Sequence, residues 1–188
     1  MEYVYHGSRT QNLKVLYPKD AGHSKNYVYA CDNPIHAAIF INRPGGSFLA
    51  SWWERKDGKI IFIERQKKVF DNWYKGLKGS IYVMDKKLFR HEDFLHKFEL
   101  ISDTAVPVVR EIKFDDLKSY FLEQQEKDNF IFVPFEKRRE YFKDDKDMVD
   151  LAIILMGKNN CSKQEIIKTM NKHWPSLVND LKKELARI

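Results

Sequence analysis

The chain has 188 residues, of which 43% are hydrophobic and 14% aromatic, so it can bury one substantial core and is not a disordered protein. Its formal net charge of +6 favours encounters with phosphate-rich partners, but acidic residues are interleaved with the basic ones, which is typical of a solvated mixed surface. No apolar run reaches the roughly 18 residues that a membrane span needs, and the N-terminus lacks signal-peptide features, so we expect a cytoplasmic protein without a membrane partner.

The first 40 residues predict two short strands and a helix. β-branched and aromatic residues cluster at positions 3–6 and 27–30, between polar loops, and such clusters are typical of strands. Asn33 is a favourable helix cap, and Pro34 presets the first helical turn. A short helix therefore follows the second strand.

The residues at the ends of these elements are suited to holding a flat, amide-bearing ring. His6 stands beside Gly7, and a glycine lets a ligand approach the backbone closely because it has no side chain. Tyr29 and Phe40 could stack on opposite faces of a planar heterocycle. The plain alternative is a histidine bonded to a neighbouring carbonyl, a glycine that turns the chain, and two aromatic core residues.

The middle of the chain is predicted to be rich in strands. The pair Asp57-Gly58 lies between the runs 48–54 and 59–65 and predicts a β-hairpin, since Gly accepts a positive φ in the turn. The later elements expected here are a helix at 67–74, strands at 80–84 and 97–102, and an extended segment at 106–114.

The C-terminal part is predicted to be helical. From Asp115 apolar residues recur at helical spacing, and after position 144 helices alone are expected, the first of them ending at Gly157. Ser162 and Glu165 form a capping-box sequence, and Pro175 predicts the start of the last amphipathic helix. The predicted organisation is an α+β domain at 1–143, antiparallel in its β part, and a helical segment at 144–188.

One acidic residue interrupts an otherwise apolar strand. Alternation along residues 98–102 puts Glu99 on the same face as Ile101, either at a strand edge in water or in a cleft. Glu64 and Glu111 lie on other predicted strands and are the competing candidates for a functional acid.

Several familiar kinds of site lack their residues. His91 and His96 are five positions apart, about 140° around a helix, whereas the zincin motif needs them four apart. Cys31 and Cys161 have no companion pair for a thiolate zinc site or a disulfide framework. No Gly-x-Gly-x-x-Gly or complete phosphate-binding loop occurs. The sequence therefore predicts no metal centre and no classical dinucleotide fold.

Three segments carry a family resemblance. YHGS at 5–8, VYACD at 28–32 and AAIF at 37–40, with Glu99 downstream, resemble the His-Tyr-Glu pattern of the ADP-ribosyltransferase superfamily, in its diphtheria-toxin and poly-ADP-ribose-polymerase branch. The resemblance covers residues 1–115. It implies a split, mostly antiparallel β core that clamps NAD. The fold expected for the whole chain is therefore an α+β core of this type with short helices, followed by the C-terminal helical appendage that the residue pattern predicts.

The resemblance also implies roles for individual residues. His6 would bond the adenine-side ribose, the Gly7 backbone would hold the nicotinamide carboxamide, and Glu99 would contact the 2′-hydroxyl of the nicotinamide ribose. The NAD-binding residues implied in this way are His6, Gly7, Ser8, Tyr29, Ala30 and Phe40, and the implied catalytic residues are Glu99 and His6.

The function expected from this resemblance is NAD-dependent mono-ADP-ribosylation of a protein or nucleic-acid acceptor, with release of nicotinamide. The alternative is a catalytically inactive nucleotide- or nucleic-acid-binding module on the same fold. It is favoured by the basic balance and by Ala37 or Ala38, which stand where the family often has a small hydroxyl residue; Cys31 likewise replaces a frequent Ser or Thr. The helical segment is expected either to recognise a substrate or partner or simply to complete the core.

Overall fold

A computed structural model describes residues 2–19, 25–44, 46–158 and 161–187, and within them the fold is α+β with antiparallel sheets and several helices. The strands are β1 Tyr3–Ser8, β2 Val15–Leu16, β3 Val28–Cys31, β4 Ala50–Glu54, β5 Ile60–Glu64, β6 Gly79–Asp85, β7 Glu99–Ser102, β8 Val106–Pro107, β9 Arg110–Phe114 and β10 Phe130–Val133. The helices are α1 Pro34–Ile39, α2 Val69–Tyr74, α3 Leu117–Glu126, α4 Asp147–Lys158, α5 Lys163–His173 and α6 Val178–Leu185.

The largest sheet has five strands in the order β7-β3-β1-β6-β9, and every neighbouring pair is antiparallel. Side chains alternate between its two faces. Val4, Ala30 and Tyr82 lie in one apolar cluster with Leu16 and Val106, so the small β2-β8 ribbon covers their face. The strands predicted around residues 3–6, 27–30, 80–84 and 97–102 are all present, with shifted ends.

A second sheet has the order β10-β5-β4. The hairpin predicted around Asp57-Gly58 is confirmed, because β4 and β5 pair antiparallel and Gly58 has a φ of +80°. Strand β10 was not predicted. It runs parallel to β5, with Phe130 opposite Ile60, so the β structure is not wholly antiparallel.

The main core combines both sheets with α1, α2 and α3. It includes Ile39 of α1, Phe62 of β5, Phe70 of α2, Ile81 of β6 and Phe121 of α3. Removing this apolar surface from water stabilises the folded chain by roughly 25 cal/mol per Å².

Helix α1 begins as its sequence predicts. The Asn33 side chain accepts a hydrogen bond from the Ile35 amide, and Pro34 occupies the first turn. The loop that follows was predicted at 43–46, of which Gly45 lies outside the described residues.

The helical segment packs on the α+β body instead of standing apart from it. Its apolar cluster includes Phe48 of the body, and the Trp174 indole donates a hydrogen bond to the Phe48 carbonyl at 2.9 Å. Helix α4 continues past the predicted stop at Gly157 and ends at Lys158, while the capping box of Ser162 with Glu165 is confirmed. In the described ranges, no helix has the length and apolar content required to cross a bilayer.

Candidate active site

The His-Tyr-Glu residues lie on three neighbouring strands. Glu99 begins β7, Tyr29 is in β3, and His6 is in β1, the next strand of the sheet. The register pairs Glu99 with Cys31 and Tyr29 with Ile101. Alternation then puts the Tyr29, Cys31 and Glu99 side chains on one face of the sheet.

The His6 side chain belongs to the other face but turns into the gap between β1 and β3. It lies opposite Tyr82 in the β1-β6 pair, on the face that carries Ala30. The ladder between β1 and β3 consists of a single pair, Tyr5 with Cys31. Beside that pair, His6 Nδ1 lies 2.8 Å from the Tyr29 carbonyl oxygen, so the imidazole connects the two strands.

This contact fixes the chemistry of the His6 ring. Only an N–H can bond a carbonyl, so Nδ1 carries the proton and Nε2 of the neutral ring is a hydrogen-bond acceptor. Burial lowers the pKa of His6 below its ordinary value, with the positive charge of Lys19 acting in the same direction and the Tyr29 bond opposing it. The ring is therefore neutral at physiological pH.

The remaining residues of the predicted NAD site have mainly structural neighbours. An ideal Cβ on Gly7 would lie 2.0 Å from the Ala37 carbonyl oxygen, so the open side of this glycine receives helix α1. Ser8 lies opposite Ser80, and its hydroxyl accepts a bond from the Thr10 amide. Ala30 is buried. The packing of Gly7, Ser8 and Ala30 accounts for these residues without a ligand. Their roles in NAD binding stay predictions.

The three competing acids differ in what their carboxylates already bind. Glu64 accepts the amides of Phe70 and Phe135.

Glu111 accepts the Asn12 amide at 2.8 Å and the Ser80 hydroxyl at 2.7 Å, with the Tyr82 hydroxyl at 3.2 Å. Glu99 accepts only the His96 amide at 3.0 Å, through Oε2, from the described part of the chain. Its Oε1 is the oxygen available to a ligand.

A cavity of about 260 Å³ adjoins the loop that leads into Glu99. Aromatic side chains from three elements line it, together with a cation and an imidazole. The lining residues that matter for its chemistry are Phe40, Arg43, Ser47, Trp52, His96 and Phe98. Phe40 is thus brought near the acid strand, where its ring lies under the Arg43 guanidinium at 4.1 Å.

The charges on this side of the sheet act on one another. Burial raises the pKa of the Cys31 thiol well above its usual value, and the Glu99 and Asp32 carboxylates add to this effect. Burial lowers the pKa of Arg43, while Glu99 opposes the shift. Glu99, Cys31 and Arg43 therefore share one electrostatic environment.

His36 is a second unusual imidazole behind the cavity. It is fully buried in α1, its ring stacks on Phe98 with centroids 3.9 Å apart, and neither ring nitrogen has a hydrogen-bond partner in the described structure. Burial lowers its pKa to about 4, and the nearby His96 contributes in the same direction.

Sequence reasoning passed over Arg43, Trp52 and His96. In the sequence, Arg43 belongs to a predicted loop and Trp52 to the first strand of a predicted hairpin. His96 belongs to a pair of histidines whose spacing does not fit a metal-binding motif. The available signal was a cation close in sequence to an aromatic-rich hairpin. Whether these residues line one cavity depends on the fold and cannot be predicted from their spacing. Across the described residues, no group of three His, Cys, Asp or Glu side chains could hold a metal ion.

Comparison with protein-family models, curated proteins and solved structures gives no match for this chain. The residues and the geometry described above are therefore the basis for proposing a function.

Proposed function

We propose that the protein is an NAD-dependent ADP-ribosyltransferase, which transfers ADP-ribose to a protein or nucleic-acid acceptor and releases nicotinamide. The observation that carries the proposal is the 2.8 Å contact of His6 Nδ1 with the Tyr29 carbonyl, beside the strand that begins with Glu99. It supports the proposal because His6 and Glu99, 93 positions apart along the chain, lie on either side of the Tyr29 strand, in the order that a His-Tyr-Glu site requires.

In this proposal, His6 binds the adenine-side ribose of NAD. A neutral imidazole protonated on Nδ1 accepts a hydrogen bond from a ribose hydroxyl through Nε2. Since β1 and β3 share only the Tyr5–Cys31 pair, main-chain groups near Gly7 would be available to the nicotinamide carboxamide. Tyr29, on the Glu99 face, would pack against the nicotinamide ring.

The chemical side of the proposal assigns the sugar to Glu99. Cleavage of the bond to nicotinamide develops positive charge on the ribose, and a fixed carboxylate stabilises that charge. Nicotinamide leaves as a neutral molecule, so no strong general acid is needed. The acceptor oxygen or nitrogen then bonds to the ribose carbon and loses its proton.

The experiment compares nicotinamide release from NAD by the wild type, Glu99→Gln and Glu92→Gln, in buffer and in cell extract. We expect Glu99→Gln to release nicotinamide at least about 100-fold more slowly, because it removes the stabilising charge. Glu92, on the exposed side of the same loop and paired with Arg90, serves as the matched control and should leave the rate unchanged. Melting temperatures of all three proteins exclude unfolding as the cause.

Absence of nicotinamide release from the wild type would contradict the transferase proposal. Titration with NAD, and with RNA and DNA at two salt concentrations, then tests the inactive binding module, because phosphate-driven binding weakens steeply with salt. Equal rates for Glu99→Gln and the wild type would instead remove Glu99 from the site.

A further inference from the structure

Arg43 is a partly buried cation that packs against two aromatic rings. Its guanidinium lies 4.1 Å from the Phe40 ring centroid and 5.2 Å from that of Trp52. No carboxylate of the described chain lies within ion-pair distance of it. An arginine that packs against aromatic rings in a cavity, and whose guanidinium N–H groups have no acceptor among the described residues, is arranged to bind an anion.

The segment that carries Arg43 is held in place before any ligand arrives. The Asn42 side-chain amide donates a hydrogen bond to the Trp73 carbonyl at 2.9 Å, and the Trp73 indole donates one to the Pro44 carbonyl at 3.2 Å. The Gly46 amide closes the turn onto the Arg43 carbonyl at 2.9 Å. The backbone on both sides of Arg43 is therefore fixed at Asn42 and Pro44 before a ligand binds, which lowers the entropic cost of binding.

Other hydrogen-bond donors line the same cavity. The Ser47 and Ser51 hydroxyls are there, neither with a protein partner in the described structure, and the His96 ring is a further lining group. Asp147 also lines the cavity, but its carboxylate is taken by Arg65 at 2.6 and 2.7 Å. Donors on several sides suit the three or more oxygens of a phosphate better than the two of a carboxylate.

One wall of the cavity leads directly into the Glu99 strand. Phe98 and His96 precede β7, the edge strand, whereas His6 is two strands away on β1. Neighbouring strands are about 4.8 Å apart, so β7 lies roughly 10 Å from β1, with β3 between them. If NAD extends from His6 to Glu99, the cavity is at the nicotinamide end, where an acceptor must enter.

We propose that this cavity is the acceptor subsite and binds a phosphate group of the acceptor, with Arg43 supplying the charge and Ser47 and Ser51 the neutral donors. The assignment of this phosphate to the acceptor rests on the proposed transferase function, whereas the phosphate site itself does not depend on that function. The phosphate has two possible sources, a free nucleotide or a single-stranded nucleic acid. The aromatic walls and the net charge of +6 suit both.

The test is calorimetric titration of the full chain, without NAD, using inorganic phosphate, thymidine monophosphate and a short single-stranded oligonucleotide. Thymidine monophosphate is chosen because NAD contains no pyrimidine base. Arg43→Gln should weaken binding about tenfold or more, since it removes a charge-assisted contact, and Arg43→Lys should restore part of it. Arg55→Gln, an exposed arginine paired with Asp57 on the neighbouring hairpin, is the matched control and should bind as the wild type does.

Each outcome decides the proposal. Arg43-dependent binding of thymidine monophosphate identifies a free nucleotide as a sufficient source, and binding of the oligonucleotide alone identifies nucleic acid. No binding, or equal binding by wild type and a folded Arg43→Gln, overturns the phosphate site and leaves the Glu99 experiment untouched. Competition by NAD for the Arg43-dependent site would overturn the acceptor assignment, because the phosphate would then belong to NAD.

Discussion

At the scale of single residues, the buried His36 next to the candidate site makes the stability of the fold depend on pH. Its imidazole is fully buried without a hydrogen bond and stays neutral, with a pKa of about 4 against an ordinary 6.5. The unfolded chain therefore binds a proton at a pH where the folded chain does not. The stability associated with this neutral ring is complete above pH 6.5 and is lost as the pH falls toward 4.

His36→Leu should remove this part of the pH dependence. Between pH 7 and pH 4.5 we expect the wild type to lose about 2.5 kcal/mol more unfolding free energy than the variant, from the difference between the two pKa values. Urea unfolding of both proteins at several pH values measures the difference, and the contribution of His6 cancels in it. Parallel pH curves would show that His36 is accessible to protons in the folded state.

Gly7 is required by the close approach of α1 to β1. Gly7→Ala would push a methyl group against the Ala37 carbonyl, 2.0 Å away, and backbone must move to relieve the contact. We expect a loss of about 1–3 kcal/mol in a thermal or urea melt. Gly157→Ala is the control, because a Cβ there meets nothing within 4 Å and the change should be neutral or stabilising. A Gly7→Ala variant as stable as the wild type would contradict this packing.

At the scale of elements, the start of α5 depends on a few local contacts. The Ser162 hydroxyl accepts the Glu165 amide, and the Glu165 carboxylate accepts the Ser162 amide at 2.8 Å. Ser162→Ala should destabilise the protein by about 1 kcal/mol in urea unfolding. Thr169→Ala, in the middle of the same helix, should cost little, because alanine is the better helix former. Similar losses in both variants would mean that the cap is not what stabilises this helix.

At the scale of the whole molecule, one buried cation connects the α+β body to the helical segment. Arg65 is fully buried and binds Asp147 at the start of α4, with a weaker contact to Asp145 at 3.3 Å. Its guanidinium also lies 3.8 Å from the Phe142 ring centroid. Arg65 is the buried member of this pair, and the Asp147 side chain is 45% exposed. Removing the carboxylate leaves the buried charge of Arg65 less compensated, which is destabilising.

Asp147→Asn should therefore lower the unfolding free energy by about 2–3 kcal/mol, since Arg65 keeps only Asp145. Asp150→Asn, exposed in the same first turn of α4, is the matched control and should change stability by less than about 1 kcal/mol. Urea unfolding followed by tryptophan fluorescence measures both. Equal stabilities would mean that the Arg65 pair does not hold the two parts together.

The sequence by itself determined most of the local structure. The Asn33 cap, the Asp57-Gly58 turn and the Ser162 box each depend on residues a few positions apart, and each is present in the structure. Alternation along β7 likewise put Glu99 and Ile101 on one face, and the register with β3 agrees. These features were predictable because their causes are short-range sterics and hydrogen bonds.

Only the tertiary structure decided which distant residues meet. Strand β10 pairs in parallel with β5 after a long connection, Gly7 receives α1, and Arg65 binds Asp147, none of which leaves a local signal. Likewise, Glu111 Oε1 accepts hydrogen bonds from Asn12, Ser80 and Tyr82, which are all far from Glu111 along the chain. Such contacts follow from the burial of shared apolar surface, which has no direction and cannot be read from spacing alone.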